Sequence, residues 1–137
     1  MTDEDFDLWL QAFSEDQIKS LRSLRFLIME HTNGLQESVN DGKWLTGFVF
    51  YSIGSSMIYA IGLKGKLKTT LHMMPFYGSA ELQERHGTAL SSFLTGKSCI
   101  AFRKYSDLPI SNLVDIFELG TPVMRNMLMA ERNEHHR

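Results

Sequence analysis

Apolar residues recur along the first quarter of the chain at helical spacing. Phe6, Trp9, Leu10 and Phe13 stand three or four positions apart, which leaves one stripe apolar and the rest polar. Thr2 is a capping residue type, and Asp3, Glu4 and Asp5 fill a first turn where carboxylates complement the helix dipole. The spacing predicts a helix over residues 2–13. Ser14-Glu15-Asp16-Gln17 then forms an S-x-x-Q capping box. Ile18, Leu21, Leu24 and Ile28 continue the period, Leu27 widens the stripe, and Asn33-Gly34 supplies a left-handed stop. A second helix is expected over 15–31, packed on the first as a hairpin. A short helical turn follows over 35–39, ended by Asn40-Asp41-Gly42.

Beyond residue 42 the pattern changes to aromatic and β-branched runs. Residues 48–53, 56–63 and 66–74 read as strands separated by the turn signals Gly54-Ser55 and Lys64-Gly65, a meander with two tight hairpins. Pro75 and Gly78 break it. Residues 79–90 suit a helix, with Leu82 and Leu90 apolar and Glu81, Glu84, Arg85 and His86 on an exposed side. Residues 97–104 alternate as a fourth strand, with Ile100 and Phe102 to one face and Cys99 and Ala101 to the other. The last helix covers 110–130 and is expected to kink or split at Pro122.

The predicted order is α-α-β-β-β-α-β-α. Strands that follow one another through hairpins pair antiparallel, and the helices must cover one face. The fold class is therefore α+β: two layers, a mainly antiparallel four-stranded sheet with helices on one face. The 137 residues suit a single domain over 1–137.

Composition is ordinary for a globular protein, with 43% apolar and 22% charged residues, and the net charge is −2. Near-neutrality argues against a nucleic-acid binder that works by blanket phosphate neutralisation. One cysteine excludes an internal disulfide framework. The acidic opening is unlike a secretory signal, and the apolar runs fall short of a membrane span, so a cytoplasmic protein without membrane partners is expected. The small total hides an asymmetry: residues 1–43 carry −5, residues 44–137 carry +3, and no acid occurs from Gly42 to Ala80.

Two surfaces carry candidate chemistry. In the third predicted strand, Leu67, Thr69, Leu71 and Met73 fall on the face expected to meet the helices. Lys66, Lys68, Thr70, His72 and Met74 fall on the other, which is expected to meet solvent, a groove or a partner. Lys97 and Arg103 of the next strand could join His72 there in a basic, anion-accepting surface, and His72 would be its proton-sensitive member. Trp44 could floor a pocket with Tyr51 or Tyr59. The bland alternative is a solvated face or a protected edge rich in lysine. On the first helix, Asp3, Glu4 and Asp7 make a carboxylate ridge able to hold a hard cation loosely; the bland alternative is service to the helix dipole.

Other motifs carry less. Thr95-Gly96-Lys97-Ser98 looks like the end of a phosphate loop, but Ser91 stands where that loop needs glycine, and a strand follows rather than a helix. Cys99 reads as a small buried hydrophobe. His31, His72 and His86 are too scattered to read as zinc ligands.

The assembled order resembles the YdhG-like domain family, small bacterial domains of long-unassigned function that include members described as frataxin-like iron chaperones. The resemblance spans about residues 6–129. It rests on the hairpin with Leu24-Arg25, on Gly42-Lys43-Trp44 leading into the meander, on Leu71-His72-Met73, and on Gly96-Lys97-Ser98-Cys99-Ile100-Ala101-Phe102 followed by Asp107-Leu108-Pro109. The family's Trp-Gly-x-Pro-x-Tyr pattern is replaced here by Trp44-Leu45-Thr46-Gly47-Phe48-Val49, without the proline. No catalytic residue carries over.

Two functional readings follow. The resemblance, with the acidic first helix, implies a non-enzymatic protein that binds or delivers iron weakly through Asp3, Glu4 and Asp7. The strand alternation points instead to a binding domain for a small anionic ligand or a protein partner. It would use Lys66, Lys68, His72, Lys97, Arg103, Trp44 and Tyr59, and a second copy covering the face would make it a homodimer. An enzyme is not expected, since no nucleophile, cofactor loop or metal cage motivates one.

Overall fold

The computed structural model describes residues 1–65 and 68–135, the last three of these by backbone alone. In chain order the elements are α1 (Asp3–Leu10), α2 (Glu15–His31), β1 (Gln36–Val39), β2 (Val49–Ile53), β3 (Ser56–Lys64), β4 (Lys68–Met73), α3 (Met74–Gly78), α4 (Ala80–Leu90), β5 (Cys99–Phe102) and α5 (Ile110–His135). Both expected caps form. Thr2 and Ser14 accept hydrogen bonds from the backbone N–H groups of Asp5 and Gln17, whose side chains accept from the cap residues in return. The Asp5 carboxyl is held below its ordinary value by the Thr2 backbone N–H.

The five strands form one antiparallel sheet whose spatial order follows the chain. The expected count of four is corrected by β1, where a helical turn was predicted. Gln36–Val39 pairs with β2, setting Glu37 opposite Tyr51. There Glu37 accepts from Arg25 Nε at 2.9 Å and from the Tyr51 hydroxyl at 2.6 Å. Pairing and a long-range ion pair thus override the weak local preference of a four-residue segment. At the far edge, segment 93–95 covers β5, with Ala101 N–H donating to Phe93 O and Thr95 N–H to Cys99 O.

The core lies on one side of the sheet. Val49, Tyr51, Tyr59, Ile61, Leu71, Met73, Ile100 and Phe102 pack against Phe6 and Leu10 of α1, Leu21, Leu24 and Ile28 of α2, and Leu113, Ile116 and Phe117 of α5. Arg25 spans the hairpin, its guanidinium 4.5 Å from the Phe6 ring centre. Its hydrogen bonds to Glu37 hold its pKa above the ordinary value. Desolvation, and then the Glu37 carboxylate, push the Tyr51 hydroxyl well up.

Two further expectations are corrected. The expected split at Pro122 does not occur, and α5 is one helix over Ile110–His135. Pro122 and Glu118 are both exposed, so the carbonyl that the proline leaves without an N–H partner is on the solvent side. His86 is buried rather than on a solvated face. Its Nε2 lies 2.6 Å from Asp115 Oδ2 and its Nδ1 2.9 Å from Asn112 Nδ2, joining α4 to α5. Among the described residues, no helix is long and apolar enough to cross a membrane.

Candidate functional site

The sheet face away from the helices is built in three cross-strand rows. Register places Phe50, Ala60, His72 and Cys99 side by side. The next row holds Gly62, Thr70 and Ala101, and the third pairs Lys64 with Lys68. Because side chains alternate along a strand, Lys68, Thr70 and His72 share this face. It grades from aromatic and buried at the His72 end to cationic and exposed at the Lys64–Lys68 end.

Residues 41–48 fold over the buried end. Phe48 lies on Gly62 so closely that a β-carbon there would come within 2.7 Å of the ring. Phe48 and Trp44 both meet the His72 imidazole edge to face, with ring centres 5.9 and 5.8 Å away. The loop is held by the residue that precedes it. Asn40 Nδ2 donates to Trp44 O at 2.6 Å and Leu45 O at 3.2 Å, Asn40 N–H donates to Phe48 O, and Gly47 N–H donates to Asn40 O. From α1, the Trp9 indole N–H donates to Gly47 O at 2.8 Å. These bonds hold Leu45 at φ 53°, a left-handed conformation costly for a branched aliphatic residue.

Beneath this roof lie polar groups without partners. His72 is 7% exposed and Thr70 fully buried, and among the described residues neither the two ring nitrogens of His72 nor the Thr70 hydroxyl has a hydrogen-bond partner. Buried polar atoms left in this condition cost about 1–3 kcal/mol each. Desolvation, and then the Lys64 charge, lower the His72 pKa from its ordinary value. A neutral imidazole therefore presents one donor and one acceptor, and the hydroxyl can serve as either. Cys99, directly across from His72, shares a hydrogen bond with Thr95 Oγ1 at 3.1 Å. The His72 nitrogens do not reach its sulfur, so no nucleophile–base pair is assembled.

The residues singled out from sequence are dispersed. Trp44 and His72 come together, and Lys68 shares their face. Lys66 and Leu67 lie outside the described residues. Tyr59 is corrected to the helix side, where its hydroxyl lies 2.8 Å from Thr121 Oγ1 and its ring meets Phe117 edge-on; Tyr51 points the same way. Burial pushes the Tyr59 hydroxyl up. Lys97 lines a separate cleft of about 520 Å³ with Tyr77 and Gln83, and Arg103 a smaller one beside Lys19 and Tyr105 of about 200 Å³. Of the solvent, groove or partner expected for Thr70 and His72, the structure excludes open solvent, since both are buried. Met74 belongs to α3 rather than the strand.

The carboxylate ridge is engaged in ion pairs. Asp3 accepts from Arg25 and Asp7 from Arg22, each at 2.8 Å, and Glu4 is exposed. Among the described residues, no three His, Cys, Asp or Glu side chains are grouped to hold a metal ion. Lys64, Phe48 and Thr70 complete the outer site and were not selected as site residues. Of these only Thr70 carried a sequence signal, its place in the strand alternation with Lys68 and His72. No family model, curated protein or solved structure matches the chain.

Proposed function

We propose that this is a non-enzymatic, cytoplasmic binding protein that takes a small anion on the outer face of its sheet. The observation that carries the reading is the buried pair Thr70 and His72, whose side-chain hydrogen-bonding atoms have no partner among the described residues although an aromatic-lined loop closes over them. A site that keeps such groups at a cost in stability is a site that expects a ligand's polar atoms. Lys64 and Lys68 on the same face favour a negative charge, and the absence of any acid from Gly42 to Ala80 leaves that field unopposed within the meander. The iron reading gains no comparable support, because two of its three carboxylates, Asp3 and Asp7, already face arginines.

The test is a titration of the full chain with sulfate, inorganic phosphate and acetate, followed by NMR at the His72 ring and the Thr70 amide. Saturable shifts centred on these two residues, and lost in Thr70→Val and His72→Gln, support the site. The reading is overturned if none of the three anions gives a saturable shift in the millimolar range.

A further inference from the structure

The groups around His72 go further than an anion site, because they fix what accompanies the anion. On its own strand the ring shares a face with Lys68; on β3 it faces Ala60, with Lys64 further along that face; on β5 it faces Cys99. From the loop it meets the rings of Trp44 and Phe48, while the loop's charged residues, Asp41 and Lys43, are exposed. Lys97, just before β5, is also exposed and lines its own cleft. The described side chains that face the ring thus include cations and aromatic edges but no carboxylate. Glu37, the acid of the far edge strand β1, lies on the helix side of the sheet, bonded to Arg25 and Tyr51.

We infer that the site takes up a proton together with the anion, the proton residing on His72 and the anion serving as its counter-charge. This rests on the anion-binding reading above. In the ligand-free protein a charged imidazole would be buried, beside like charge and without a counter-ion, so the ring stays neutral. A neutral ring offers an oxyanion one N–H and turns a bare nitrogen lone pair toward its surroundings. Protonation makes both nitrogens donors, so the ring and the Thr70 hydroxyl together supply only donors to the bound oxygens. The proton comes from solvent and returns to it on release, and no covalent bond changes. Binding and protonation then favour each other, by the reciprocity of linked equilibria.

Sulfate is the probe, because its charge is constant between about pH 5.5 and 8, where imidazole titrates. Calorimetry is run in buffers of different ionisation enthalpy, with the His72 ring nitrogens followed by NMR. The expected result is uptake approaching one proton per sulfate, affinity weakening by up to about tenfold per pH unit, and a higher His72 pKa at saturating sulfate. His72→Gln removes the pH dependence and the proton uptake. Should that variant not fold, the wild-type ring titration with and without sulfate decides alone. Saturable binding with no proton uptake and unchanged affinity across the range overturns the inference and leaves the anion site standing. No saturable binding at any pH overturns both.

Discussion

The ring of Phe48 rests on the bare α-carbon of Gly62, at a distance that leaves no room for a methyl group. This contact seats the loop that covers His72. Gly62→Ala is expected to destabilise the protein by about 1–3 kcal/mol, the usual effect of forcing a methyl into a packed contact. Urea unfolding followed by circular dichroism measures it. Adding Phe48→Ala to the first substitution should cost less than the two separate losses combined, because the methyl then occupies space the ring has left. Simple additivity would mean the two residues are not in contact.

Arg25 and Glu37 form an ion pair whose side chains are 14% and 7% exposed. Removing one partner leaves the other charge largely buried and uncompensated. Glu37→Gln is expected to cost about 3–5 kcal/mol, with the fraying of β1 visible as faster amide exchange over residues 36–39. A loss no larger than that of an exposed pair, below about 1 kcal/mol, would show that solvent reaches the pair.

Thr70→Val tests the cost of the unpartnered hydroxyl. Replacing a buried, unpaired O–H by a methyl of similar shape is expected to raise stability by about 1 kcal/mol. The same urea experiment reads it. Destabilisation instead would show that the hydroxyl has a partner in the ligand-free protein.

The lowered His72 pKa fixes the sign of one acid effect. The unfolded chain protonates this histidine near 6.5 while the folded chain resists, so below that pH the unfolded state holds more protons. The His72 contribution to stability is present in full above the ordinary imidazole pKa and is lost as pH falls through it toward the lower folded value. His72→Phe is expected to remove this part of the slope between about pH 7 and 5. An unchanged slope in thermal melts of the variant would assign the acid sensitivity elsewhere.

Ferrous iron, titrated anaerobically, is expected to bind no tighter than millimolar, and Asp3→Ala with Asp7→Ala is expected not to change the isotherm. Tight binding abolished by that pair would restore the acidic helix as a metal site.

The helical hairpin was readable because every local signal agreed: caps, acids in the first turns, and the Leu21, Leu24, Ile28 period gave α2 over Glu15–His31. The alternation of Cys99 to Phe102 was equally legible and holds in the register. What escaped was set by distant partners. β1 exists through Tyr51 and Arg25, and no feature of residues 36–39 announces them. The outer face stayed open between a solvated surface and a groove for a similar reason. Alternation tells which residues share a face but not whether a loop from elsewhere covers it, and Trp44 and Phe48 do so only because β2 starts where Gly62 leaves room. Tyr59 shares the phase of Ile61 on its own strand, and Ile61 stands opposite Leu71, so all three lie on the helix face rather than with Trp44.

The loop that covers His72 is also held at its far end by Trp9 of the first helix. The chain has two tryptophans, Trp9 and Trp44, and both contact this one loop, one bonded to its Gly47 carbonyl and the other carried on it against the imidazole. All the indole emission of the protein therefore originates at the two attachments of a single loop. Without any added label, the molecule carries an optical gauge of whether its site is covered.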